Sequence, residues 1–151
     1  MTELAYRAAT PADLDFIVRL LVLDDVSGVD EASLPRGLDY AAALAAIDAD
    51  PNQALYVVEK DGTRIGTFQL TFIPGIMRRG LWRGLVEAVH VVPEERGRGH
   101  GSAMILWAVE ACRRRGCAVV QLTSNKKRLD AHRFYRRLGF AQSHEGFKLD
   151  L

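Results

Sequence analysis

The chain has 151 residues, of which 48% are hydrophobic and 26% charged, and its formal net charge is +1. That length suits one domain with a proper core, and the composition excludes a disordered or fibrous chain. A charge so near zero excludes the broadly basic footprint of a nucleic-acid binder, and no run approaches the roughly twenty apolar residues that span a bilayer.

Leu4 to Ala8 reads as a first strand. Thr10 then caps a helix that has Pro11 in its first turn and runs to about Leu23, with Leu14, Ile17, Val18 and Leu21 on one face. Ser27 to Gly37 is a loop rich in charges, and Leu38 to Asp50 an alanine-rich helix that ends before Pro51. Ala54 to Glu59 and Arg64 to Ile73 form a hairpin around Lys60-Asp61-Gly62, and Pro74 to Gly80 is a loop. Trp82 to Val92 is the next strand. A helix from about Gly99 to Arg115, apolar nearly all round, packs on a sheet and ends at Gly116. Ala118 to Thr123 is a buried strand, Leu129 to Leu138 a helix stopped by Gly139, and Phe140 to Leu149 a closing strand. Strand, helix and strand from Val86 to Val120 form a crossover, so those two strands are parallel within a mixed sheet.

Met1–Arg7 carries no apolar signal core, so a cytoplasmic location is expected, with neither membrane nor nucleic acid as partner. Cys112 and Cys117 lack both CxxC spacing and a neighbouring ligand cluster; they read as free structural thiols, and no metal site is expected.

The strand Val89-His90-Val91-Val92 runs through Pro93-Glu94-Glu95 into Arg96-Gly97-Arg98-Gly99-His100-Gly101-Ser102 and then directly into a long helix. The first amides of a helix have no intrahelical acceptor, and the helix dipole leaves partial positive charge there. The main chain alone can therefore hold a phosphate. Glycine lets the backbone approach closely, and Arg96 and Arg98 add mobile positive charge. A strand-to-helix turn also needs glycine for steric reasons alone. The nucleoside-triphosphate loop needs Gly-Lys-Ser/Thr, which is absent at Gly101-Ser102, and the dinucleotide fingerprint belongs after a first strand.

Arg96-x-x-Gly99-x-Gly101 after a Val-x-Val strand resembles the pyrophosphate-binding motif of the GNAT family of N-acetyltransferases. Gln121-Leu-Thr-Ser-Asn125, followed by Ala131-His-Arg-Phe-Tyr135-Arg-Arg-Leu-Gly139-Phe140, is similar to that family's second motif. The two occur in the family's order from about Leu85 to the end of the chain. The resemblance implies one α/β (α+β) domain over residues 1–151, with a mixed central sheet of about six to seven strands flanked by about four helices. It implies transfer of the acetyl group of acetyl-coenzyme A to a primary amine, a small molecule by preference, by direct attack in a ternary complex. Acetylation of a protein or peptide, and a non-catalytic coenzyme A-binding regulatory module, are the other readings. The run from Asn125 to Tyr135, with Gln142-Ser143-His144, also resembles the aminoalkylphosphonate N-acetyltransferases within the family. A homodimer is expected on the same ground.

The resemblance assigns cofactor contacts to Val89, His90, Val91, Arg96, Gly97, Arg98, Gly99, His100, Gly101, Ser102, Asn125 and Arg128. Tyr135 takes the position of the general acid that protonates the leaving thiolate; a phenol with a reference pKa near 10 arrives protonated. Without the upstream motif, Tyr135 is an aromatic on a core-facing helix. Glu87 is the candidate base, acting through water, because a carboxylate in an apolar strand needs a partner or a cavity; a salt-bridged glutamate is the other reading. Strand alternation puts Glu87 and His90 on opposite faces, so only one of them would face a substrate.

Overall fold

The computed structural model describes residues 3–151; Met1 and Thr2, which open the run read above for a signal core, lie outside the described residues. Five strands form one mixed sheet in the order β1-β2-β3-β4-β5, with β1 Leu4–Ala8, β2 Gln53–Lys60, β3 Thr63–Ile73, β4 Arg83–Val91 and β5 Val119–Gln121. The first four are antiparallel neighbours, and β4 and β5 are parallel, as a helical crossover requires. The helices are α1 Leu14–Leu23, α2 Tyr40–Ala49, α3 Met77–Gly80, α4 His100–Arg114 and α5 Leu129–Arg137. Of these, α3 is a single turn in which Arg78 and Arg79 have φ of 50° and 64°.

The expected order of elements is present, but the strand count falls short of six to seven. Phe140–Leu149, expected as a closing strand, takes no regular structure, and residues 141–151 are all exposed. A strand exists only where a neighbour completes its ladder, and this run has none among the described residues. β5 shrinks for the same reason. Its strand-like sequence covers six residues, yet only Val119, Val120 and Gln121 find partners, in Arg83, Gly84 and Leu85.

Each face of the sheet carries its own core. On one, Val58, Ile65, Phe68, Leu70, Phe72 and Val86 bury against Met104, Ile105, Ala108 and Cys112 of α4. Tyr6 stacks on Trp107 at 4.5 Å there, and Phe134, Tyr135 and Phe140 join from the α5 side. On the other face, Ala9, Val57 and Leu55 pack against Phe16, Ile17 and Leu20 of α1 and Leu44 of α2. The apolar girdle of α4 is thus one-sided in use, since Leu106 stays 57% exposed. β4 and α4 approach closely because residue 84 is glycine: a Cβ there would lie 2.2 Å from the Cys112 sulfur.

The arginines at the C-terminal end of α4 serve different neighbours. Arg113 pairs with Glu110, whereas Arg115 donates to Pro51 O and Asn52 Oδ1 and lies over the Phe72 ring, tying the α2–β2 corner to α4. Among the described residues no helix is long and apolar enough to cross a membrane, and no group of three or more His, Cys, Asp or Glu could hold a metal ion.

Candidate active site

The pairing of β4 with β5 stops at Leu85 and Gln121. Among the described residues, therefore, the edge of β4 that faces β5 has no strand beside it from Val86 to Val91, which leaves an opening on that side of the sheet. In open parallel arrangements ligands enter at the C-terminal ends of the strands. Arg78 and Arg79 precede β4, and Arg83 begins it where β4 is still paired with β5.

A bulge sits at the mouth. Thr67 pairs with His90 and Gln69 with Glu87, so Phe68 faces two residues, Ala88 and Val89, and Ala88 takes a φ of 52°. An extra residue in one strand shifts its alternation by one, which corrects the expectation that Glu87 and His90 point to opposite faces. Thr67 and Gln69 are two positions apart and oppose Val57 and Leu55 of the α1–α2 core, so Glu87 and His90 share that face. Glu87 is exposed and makes no ion pair among the described residues, so the salt-bridged reading has no partner here. Beside it lies a polar group in which Gln53 Oε1 accepts from Gln69 Nε2 at 3.1 Å and from Thr71 Oγ1 at 2.8 Å.

His90 is held. Its Nδ1 lies 2.9 Å from Asp24 Oδ2 at the end of α1, and the same oxygen accepts from an Arg96 guanidinium nitrogen at 2.7 Å. Partial burial pushes the Asp24 carboxyl up, but the hydrogen bonds from His90 and Arg96 together bring it below its ordinary value. Arg96 also donates through Nε to Val91 O at 2.9 Å. One carboxylate thus fastens α1, β4 and the start of the glycine turn.

In that turn Gly97 and Gly99 have φ of 73° and 84°, a region where a Cβ would strain the chain. Gly99 is the N-cap of α4, and Ala103 N is the first amide to close a helical bond on it. The amides from Gly97 to Ser102 donate to no protein acceptor among the described residues. His100 Nε2 lies 2.9 Å from Glu95 Oε2, which also accepts from Lys60 Nζ at 3.0 Å. Hydrogen bonds from Lys60 and then His100 hold the Glu95 carboxyl below its ordinary value. The Arg98 side chain is exposed, 3.8 Å from the other Glu95 oxygen.

Across the opening, Asn125 shapes the turn that leads into α5. Its Oδ1 accepts from Lys127 N at 2.9 Å, and its backbone oxygen accepts from Arg128 N at 2.9 Å. Arg128 is the N-cap of α5 and, with Lys127 and Arg133, lines a cleft of about 490 Å³. Phe134 lies against Gly101, 3.5 Å from where its Cβ would be, so α5 abuts the start of α4. Tyr135 sits edge-to-face between Phe134 and Phe140, at centroid distances of 5.1 and 5.9 Å. Burial raises the Tyr135 phenol above its ordinary pKa, and the charge of Arg128 opposes that only in part.

The model of the Acetyltransferase (GNAT) family matches residues 17–140, most of the chain and all of this geometry. The chain belongs to this family. It is an acetyltransferase. An aminoalkylphosphonate N-acetyltransferase of Salmonella typhimurium is 33% identical over 144 residues, covering 93% of the chain and 87% of that protein. A glucosamine 6-phosphate N-acetyltransferase of Trypanosoma brucei brucei is 38% identical over 90 residues, 60% of the chain and 59% of the relative. Among solved structures, one described as a transcriptional regulator from Bacillus halodurans superposes with a TM-score of 0.86 at 39% identity, covering 99% of this acetyltransferase and 100% of that chain.

The sequence did not single out Asp24 as the anchor of His90 and Arg96, Ala88 as the bulge, or the Gln53, Gln69 and Thr71 group. Alanine carries no signal for a left-handed φ. The acids of the loop after α1 are engaged locally: Asp25 accepts from Ser27 N, Asp30 from Ala32 N and Glu31 from the Tyr40 hydroxyl.

Proposed function

We propose that this acetyltransferase, as one domain over residues 1–151, moves the acetyl group of acetyl-coenzyme A to the primary amine of a small molecule in a ternary complex. The observation that carries this is the opening beyond Leu85, with a free strand edge along one wall and unpartnered amides from Gly97 to Ser102 at its foot. Those amides fit a diphosphate. The backbone of Val89, His90 and Val91 offers hydrogen bonds to a linear amide-bearing arm, and Asn125 and Arg128 flank the other wall. No metal enters the scheme.

The amine nitrogen attacks the thioester carbonyl carbon, a C–N bond forms, the C–S bond breaks, and the sulfur leaves as thiolate. Developing charge on the carbonyl oxygen is met by an amide of the bulged strand, a preorganised donor worth a few kcal/mol away from water. Glu87, exposed on the bulged face, accepts the amine proton through water. The Tyr135 hydroxyl gives its proton to the thiolate, and burial keeps that phenol protonated at neutral pH. The resemblance to the aminoalkylphosphonate enzyme of Salmonella supports a small amine carrying an anion. A cytoplasmic homodimer completes the reading.

The test is release of free thiol from acetyl-coenzyme A across amines graded from cationic to aminophosphonate. Turnover is expected, greatest among the aminophosphonates, and Tyr135→Phe is expected to lower kcat on the order of 10²-fold with coenzyme A affinity kept. Turnover unchanged in Tyr135→Phe removes the phenol from the mechanism. The Bacillus halodurans structure described as a regulator supports a second reading, coenzyme A binding without turnover. That reading predicts binding with no thiol release for any amine.

A further inference from the structure

Glu87 is not alone on the bulged face of β4. It and His90 oppose Gln69 and Thr67, two positions apart on β3, and so stand about 7 Å from each other along the sheet. His90 and Asp24 form a sheltered pair, their side chains 10% and 16% exposed, with Nδ1 2.9 Å from Asp24 Oδ2. The Asp24 carboxyl lies below its ordinary pKa, so at neutral pH it can only accept, and Nδ1 is the nitrogen that carries the hydrogen. The lone pair of the neutral ring is then on Nε2. That nitrogen makes no hydrogen bond among the described residues, and no buried polar side-chain atom among them lacks a partner, so Nε2 is open to solvent. The charges about the ring are Asp24 from the end of α1, Arg96 from the glycine turn and Glu87 from its own strand, while Thr67 opposite it donates its hydroxyl to Tyr56 O.

A primary amine with a pKa like that of lysine, about 10.4, arrives at neutral pH as ammonium and must lose two protons to become an amide. Glu87, through water, takes the one released as the C–N bond forms. We infer that His90 is a second base of the transfer, Nε2 taking the first proton from the substrate ammonium before attack. The inference rests on the acetyl transfer proposed above and adds to it the step that makes the nucleophile. Ammonium and neutral imidazole become free amine and imidazolium, and the ring gives its proton to solvent through Nε2 once the amide has left. The charge created on the ring lies against the Asp24 carboxylate. Asp24 is thus a positioning residue, which fixes the tautomer and orientation of the ring and stabilises its protonated form, as the carboxylate of a hydrolytic triad does. An amine lying between the two side chains has one base for each proton.

The test compares two acceptors at pH 7 by thiol release: the best amine of the series, which is an ammonium there, and its analogue fluorinated beside the amine-bearing carbon, which is neutral. His90→Gln is expected to lower kcat/KM for the ammonium on the order of 10²-fold and to leave the neutral amine nearly unchanged, with coenzyme A affinity kept as the sign of an intact fold. Asp24→Asn is expected to repeat that pattern with a smaller loss. Glu87→Gln is expected to lose activity on both amines alike, since the second proton leaves in either case. Equal losses on the two amines in His90→Gln, or no loss on either, overturn the role of His90 and leave acetyl transfer standing. A wild type that turns over none of the amines overturns both.

Discussion

Asp13 joins three elements through one carboxylate that is 3% exposed. Arg7 of β1 donates to it at 2.7 Å, Arg64 of β3 at 3.2 Å, and the Thr10 amide ahead of α1 at 2.9 Å. The hydrogen bond from Arg7 chiefly holds its pKa well below the usual carboxylate range, despite burial. A folded value below the unfolded one means that the unfolded chain takes the proton first as pH falls. The stabilisation is therefore complete above about pH 5, starts to fall near the unfolded value of about 4, and goes on falling until pH reaches the much lower folded value. Asp13→Asn is expected to cost about 2–4 kcal/mol in urea unfolding at pH 7, with the gap to wild type narrowing toward pH 3. A gap unchanged over that range would place the effect in packing. The Thr10 start was readable from local spacing, but Arg7 and Arg64 reach Asp13 only because β1 and β3 share a sheet.

At the scale of elements, β4 is decided by two small residues. Ala88 holds a left-handed φ of 52°, a conformation that costs a residue with a Cβ about 1–2 kcal/mol. Ala88→Gly should raise the melting free energy by about 0.5–1 kcal/mol and keep activity, while Ala88→Val should lower both. A fully active, undamaged valine variant would mean that the bulge does not set the face of Glu87 and His90. Gly84 meets the Cys112 sulfur across the β4–α4 contact, and burial pushes that thiol up to about 11, so it stays neutral packing material. Gly84→Ala is expected to cost about 1–3 kcal/mol, and adding Cys112→Ala should restore part of it in thermal melts. No restoration would put the strain in the backbone of β4. Helix and strand positions were legible because periodicity is local. The bulge was not, since register depends on which β3 residues lie opposite.

For the whole molecule, ligand and fold are linked through the opening between β4 and β5. Coenzyme A at about a hundredfold over its dissociation constant should stabilise the protein by about 2.7 kcal/mol, a melting rise of roughly 5–10 °C. Gly99→Val, which puts a Cβ and two methyls at an N-cap with φ of 84°, should abolish most of that rise. A ligand shift of wild-type size in this variant would show that the turn is not the phosphate seat. The turn and the Asn125-to-Tyr135 run were both legible, being contiguous stretches whose conformation neighbours in sequence impose. That Phe134 of one packs beside Gly101 of the other was not.

The sequence alone determined the order of elements, the parallel crossover, the glycine turn at the head of α4 and membership of an acetyltransferase family, because each is written in residues a few positions apart. Only the tertiary structure decided that β4 bulges at Ala88 and turns His90 to the face of Glu87. It alone showed that Asp24 clasps Arg96 and His90, and that the final apolar run finds no ladder partner among the described residues. The physical reason is common to all three. Strand register, ion pairing and ladder completion depend on groups far apart along the chain, and no local pattern specifies which of them meet.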